Sequence, residues 1–122
     1  MRSLIDICDL TREEIAEMIS VATDITEHPD VYAEKCKGKK IATLFFEPST
    51  RTRLSFEAAM YELGGNVLPV PGEALSSAAK GESVADTVRV ISSYADIIAM
   101  RSPKEGAAFV AAGNATLPII NA

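Results

Sequence analysis

The seven residues KIATLFF, at 40–46, constrain the fold more than any other stretch. The run is apolar without alternation, so a strand made of it has no face to offer water. Strands of that kind sit inside parallel sheets covered by helices on both sides. The rest of the chain repeats the theme. A helical segment follows and stops at Gly64-Gly65, and then NVLPV, at 66–70, reads as a short strand. Val84, Val88, Ile91 and Ala95 share one helical face, and DIIAM, at 96–100, reads as a third strand. KEGAAFVAAG, at 104–113, makes a weaker helix before a fourth strand at LPII, 117–120. Upstream, 11–27 reads as a helix, with Thr11 and Glu14 in the S/T-x-x-E spacing of a capping box. Its face carries Ile15, Met18, Ile19 and Ala22, and His28-Pro29 ends it. Helices alternating with strands predict an α/β domain: a parallel four-stranded sheet flanked by helices.

At 122 residues the chain is long enough for one such domain and its core. Its net charge of −5 argues against a nucleic-acid partner. No apolar run reaches the roughly 18 residues that span a bilayer, so no membrane partner is expected. Asp6 and Asp9 interrupt the start where a signal peptide needs an apolar core. A cytoplasmic setting is the expectation, with Cys8 and Cys36 as reduced, unreactive thiols. Lys35, Lys37, Lys39, Lys40, Arg51 and Arg53 fall within one short stretch that holds a single acid, Glu47. A basic cluster in an acidic chain suits a small anionic ligand. For the four lysines, a solvated loop is the simpler reading.

In open parallel sheets, ligands bind beyond the carboxyl ends of the strands. The loops after the first three strands carry Ser49 to Arg53, Ser76 to Lys80, and Arg101. All three should open on one edge. The loop after strand four should join them, but Asn121-Ala122 ends the sequence there, so the site is expected to be incomplete. A helix N-terminus presents unpaired N–H groups and favours anions. Arg51 adds a fork that matches phosphate bidentately, and Thr52 can donate to a third oxygen. The plainer alternative is a capped helix with surface arginines. Neither G-x-x-x-x-G-K-[ST] nor G-x-G-x-x-G follows a strand, so nucleotide binding by those motifs has no support.

FFEPSTRTRLSFEAAMYELGGNVL, at 45–68, resembles the carbamoyl-phosphate-binding signature of the aspartate and ornithine carbamoyltransferases. SSAAKGESVADTVRVISSYADIIAMRSPKEGAA, at 76–108, resembles the next block of the aspartate enzymes, whose S-x-x-x-K-G-E pattern falls at Ser76 to Glu82. The ornithine enzymes share S-T-R-T-R but lack that pattern. The resemblance implies roles. Ser49, Thr50, Arg51 and Thr52 would hold the phosphate of carbamoyl phosphate, and Arg101 would reach its phosphate and carbonyl. Ser76 and Lys80 would enter the neighbouring subunit's site on a flexible loop, Lys80 also meeting the aspartate carboxylate. Glu47 would pair with arginines of a second domain on closure, and Arg53 would hold the loop.

Arg51, Thr52, Lys80 and Arg101 are thus the expected catalytic set, for transfer of a carbamoyl group to L-aspartate in pyrimidine synthesis. No metal or organic cofactor is called for. The resemblance implies a homotrimer with shared sites, and a regulatory subunit is a further partner such a chain could take. It also casts residues 1–122 as the incomplete first domain of a two-domain carbamoyltransferase, inactive alone. A histidine and a glutamine of the family's next block, and the aspartate-binding domain, would lie beyond Ala122. His28 sits at a helix end and reads as structural. The competing functions are a phosphate-binding or assembly module without turnover, and a fragment of an ornithine enzyme. A further expectation is an exposed apolar sheet edge at Ile119 and Ile120.

Overall fold

The computed structural model describes residues 2–70 and 83–122. After one 3-10 turn at Ile7–Asp9 come α1 (Arg12–Glu27), α2 (Pro29–Tyr32), β1 (Lys40–Phe45) and α3 (Thr50–Glu62). Then follow β2 (Asn66–Val70), α4 (Val84–Ser92), β3 (Ile97–Arg101), α5 (Ala107–Asn114) and β4 (Ile119–Asn121). The four strands form one sheet in the order β2-β1-β3-β4, and every pairing is parallel. The expected α/β architecture is therefore the one found.

Successive strand residues point to opposite faces, and both faces of β1 are covered. Ala42 and Leu44 join Ile98, Met100 and Ile119 in a core closed by Val88 of α4 and Ala107, Ala108 and Ala111 of α5. Ile41 and Ala99 face the other way, beneath Met60 and Phe56 of α3. Thr43 shares the fully buried interior as its only polar member among the described residues. The alanines of α5 let that helix lie close to the sheet, so the Ala-rich tract is a packed helix. Pro69 stands on β2, an edge strand, where its missing N–H costs no ladder bond on the open side.

Local signals in the sequence translate into caps. Glu14 N–H donates to Thr11 Oγ1 at 3.1 Å, and Thr11 N–H to Glu14 Oε1 at 3.2 Å, so the capping box forms. The Thr11 N–H lowers the Glu14 pKa, and the Cys8 N–H does the same for Asp6. Gly64-Gly65 closes α3 in a Schellman motif: Gly65 N–H reaches Met60 O and Gly64 N–H reaches Tyr61 O. Gly64 sits at φ +84, and a Cβ there would meet the Ala33 carbonyl oxygen at 2.4 Å.

Three features depart from the sequence reading. α1 is amphipathic, yet none of its residues is buried, and Met18 and Ile19 are 51% and 63% exposed. The sheet already has both faces covered by α3, α4 and α5. α2 adds a helical turn directly after the first helix, with Pro29 at its first position, where a missing N–H is harmless. The sheet edge at β4 is not bare. Leu4 runs parallel beside it, its N–H donating to Ile119 O at 2.8 Å and its carbonyl accepting from Asn121 N–H at 2.9 Å.

Candidate functional site

β1 and β3 are neighbours in register, with Phe45 opposite Arg101, so their carboxyl ends deliver two loops to one place. The chain leaves β1 through Glu47 and Pro48 and enters α3 at its N-cap, Ser49. Arg101, the last residue of β3, reaches into that turn. Its Nε donates to Glu47 Oε1 at 2.9 Å, and its Nη1 donates to Ser49 Oγ at 3.0 Å and Thr52 Oγ1 at 3.3 Å. One guanidinium thus gathers a carboxylate and two hydroxyls from the first turn of the neighbouring loop.

Ser49 makes no side-chain cap bond to α3, because its hydroxyl is turned to Arg101 instead. Among the described residues no side chain accepts from the first N–H groups of the helix, which lie at the positive end of its dipole. Arg51 lies alongside, exposed, and its guanidinium pairs with no acid among the described residues. Pro48, Ser49, Thr50, Arg51, Thr52 and Arg101 line an open cleft of about 550 Å³. An uncapped helix N-terminus, a free guanidinium fork, a second guanidinium with hydroxyls around it: this set suits a tetrahedral anion with several oxygens to satisfy.

Five residues singled out from sequence thus meet at one cleft: Ser49, Thr50, Arg51, Thr52 and Arg101. Glu47, expected to pair across a domain closure, is held here by Arg101. Arg53 does not line this cleft; it faces Glu57 at 3.9 Å and borders an adjoining cavity that shares Pro48, Ser49 and Thr50. Ser76 and Lys80 lie outside the described residues. His28 is the exposed C-cap of α1, and its ring could share a cation with Asp24 and Glu27 only at the open surface. Cys8 and Cys36 are free, Cys8 exposed and Cys36 half-buried. The sequence reading missed Glu57, which accepts from the buried Thr43 hydroxyl at 2.7 Å. The available signal was Thr43 itself, a lone hydroxyl in an apolar strand that must find a partner.

Fold and cleft together define a parallel α/β domain that carries a polar, arginine-lined cleft at the carboxyl edge of its sheet. The family model for the aspartate/ornithine carbamoyltransferase carbamoyl-P binding domain matches residues 2–122, and the chain belongs to that family. It is 59% identical over 122 residues to the aspartate carbamoyltransferase catalytic subunit of Lachnoclostridium phytofermentans, and 55% over 121 residues to that of Clostridium novyi. These alignments cover 100% and 99% of this chain but 40% of each relative, so the chain spans about two fifths of their length. Among solved structures, the catalytic subunit of M. jannaschii aspartate transcarbamoylase superposes with a TM-score of 0.93 at 50% identity, covering 100% of this chain and 42% of that one. The Trypanosoma cruzi aspartate transcarbamoylase in complex with carbamoyl phosphate gives 0.90 at 38% identity, covering 98% and 39%. No helix among the described residues is long and apolar enough to cross a membrane.

Proposed function

We propose that this chain supplies the carbamoyl-phosphate-binding part of an aspartate carbamoyltransferase. The reaction moves the carbamoyl group of carbamoyl phosphate to L-aspartate, giving N-carbamoyl-L-aspartate and phosphate, in pyrimidine synthesis. The observation that carries the reading is the gathering of Ser49 and Thr52 by Arg101 at the N-terminus of α3, beside Arg51, which pairs with no acid among the described residues.

The chemistry fits that set. The aspartate amine attacks the carbamoyl carbon, the carbonyl oxygen gathers negative charge, and the C–O bond to phosphate breaks; phosphate departs with that electron pair and takes up the proton the amine sheds. No protein nucleophile is required; the demands are positioning and fixed positive charge where negative charge grows. Arg51, Thr52 and the α3 N–H groups would hold the phosphate, with Ser49 and Thr50 at its rim. Arg101 would span phosphate and carbonyl oxygen. That role requires it to loosen its bond to Glu47, which a second domain would do by offering Glu47 other arginines. Lys80 and Ser76 would serve a neighbouring site, making the enzyme a homotrimer that works in the cytoplasm. Residues 1–122 would then be one part of a two-domain protein. The ornithine alternative is disfavoured by the Ser76 to Glu82 pattern and by relatives that carry the aspartate name.

The test compares this chain with the polypeptide read onward in the same frame. With carbamoyl phosphate, the longer protein should carbamoylate L-aspartate and leave L-ornithine untouched, and the 122-residue chain should form no product. In the longer protein, Arg51→Ala should lower turnover by about 10²-fold. Kinetics within threefold of the parent would remove Arg51 from the site.

A further inference from the structure

We propose that Glu57 is a positioning residue for the anion cleft, acting through Thr43 and Arg53. The inference rests on the cleft being the carbamoyl phosphate site. Glu57 lies on α3, two turns from the N-terminus, with its side chain 15% exposed. One carboxylate oxygen, Oε2, accepts from Thr43 Oγ1 at 2.7 Å, tying the helix to the centre of β1. The other, Oε1, faces Arg53 Nε at 3.9 Å. That Nε is shielded from solvent and, among the described residues, has no hydrogen-bond partner, so the Glu57 charge is what faces it. A single carboxylate therefore links the buried strand to the first turn of the helix.

The consequence reaches the cleft through helix geometry. Residues two apart on an α-helix point about 200° away from each other. Arg53, which faces Glu57, and Arg51, which lines the cleft, therefore leave the helix on opposite sides. The same anchor fixes how far α3 can rotate or slide on β1. It thereby sets where the uncapped N–H groups, Thr52 and Arg51 meet an anion. It also sets a negative charge against Arg53, which lines an adjoining cavity with Pro48, Ser49 and Thr50.

The experiment measures the affinity of the longer polypeptide, read onward in the same frame, for inorganic phosphate by calorimetry, with unfolding midpoints recorded alongside. Thr43→Val keeps shape and removes the hydroxyl, Glu57→Gln keeps shape and removes the charge, and Thr43→Ser keeps the hydroxyl. Thr43→Val and Glu57→Gln should each weaken phosphate about 3- to 10-fold, the scale of one net hydrogen bond. The double variant should lose no more than the worse single one, and Thr43→Ser should bind like the parent. Backbone amide signals of Arg51 and Thr52 should move in the two weakened variants before ligand is added, which a loss of global stability alone would not cause. If Glu57→Gln fails to fold, Thr43→Val and Arg53→Gln carry the same expectation. Affinities within twofold of the parent, whatever the change in unfolding midpoint, overturn the positioning role. Arg51→Ala separates this failure from a deeper one. If Arg51→Ala also leaves phosphate binding unchanged, or the parent shows none, the cleft itself is misassigned and the inference falls with it.

Discussion

Replacing Arg101 by methionine should separate binding from stability. The substitution removes an ion pair to Glu47 at 2.9 Å and two hydrogen bonds, to Ser49 at 3.0 Å and Thr52 at 3.3 Å. The ion pair is 40% exposed on the arginine side and 33% on the glutamate side, so solvent screening holds its worth below about 1 kcal/mol. Both hydroxyls border an open cleft and can turn to water, leaving a net loss of roughly 0.5 kcal/mol each, at the low end for a hydrogen bond. The total, about 1–2 kcal/mol, should lower the unfolding midpoint by roughly 3–8 °C for a domain of this size. Anion affinity should fall much further. A charge-assisted donor is lost from the cleft, and Glu47 is left there with its negative charge unopposed, so a drop of about 10²-fold in phosphate affinity is expected. Arg101→Met with Glu47→Gln should recover severalfold of that loss, because it removes the repulsion without restoring the donor. Urea unfolding and calorimetric titration give the two numbers on the same samples. A large loss of stability with phosphate affinity unchanged would refute the argument and make Arg101 a scaffold for the turn.

Three other predictions concern the turn after α3, the cap of α1 and the chemistry of Arg51. Gly64→Ala should cost roughly 2–4 kcal/mol, from the left-handed backbone and a Cβ at 2.4 Å from Ala33 O, whereas Gly38→Ala, at φ +79 with open space around it, should cost about 1 kcal/mol; equal effects in urea unfolding would deny the close approach. Glu14, held low by the Thr11 N–H, stabilises the fold above its unfolded pKa and loses that contribution as pH falls through the folded value. The stability gap between parent and Glu14→Gln should therefore be present at neutral pH and close as pH falls below about 4; a gap independent of pH would contradict the capping role. Arg51→Lys should bind phosphate nearly as poorly as Arg51→Ala, since a point charge does not reproduce a planar fork, and parent-like affinity would show that charge alone suffices.

Much of the fold could be read from the chain because its strands are buried on both faces. That burial forces continuous apolar runs such as KIATLFF, and five of the six residues of β1 are buried. The caps were legible because they are local: Thr11 with Glu14, and the paired glycines after Glu62. What escaped depends on distance. The pairing of Leu4 with β4 joins residues more than a hundred positions apart, from a segment whose acids gave no strand pattern. The sequence of α1 declared an apolar face but not what covers it, and among the described residues nothing buries Met18 or Ile19. At the site, the S-T-R-T-R run and Arg101 announced themselves by charge and by their place after strands. Their mutual geometry did not: Ser49 could serve as a cap or as an acceptor for Arg101, and only the register of Phe45 with Arg101 decides it. Glu57 was invisible because its partner Thr43 sits inside an apolar strand.

The most direct measurement of the central claim is a titration of the isotope-labelled chain with carbamoyl phosphate, followed through its backbone amide signals. Saturable shifts centred on Ser49 to Arg53 and on Arg101 and Ser102, lost in Arg51→Ala, are the expected result. Saturable shifts centred elsewhere, or shifts at the cleft that survive Arg51→Ala unchanged, would contradict the assignment of this α/β edge as the carbamoyl phosphate site.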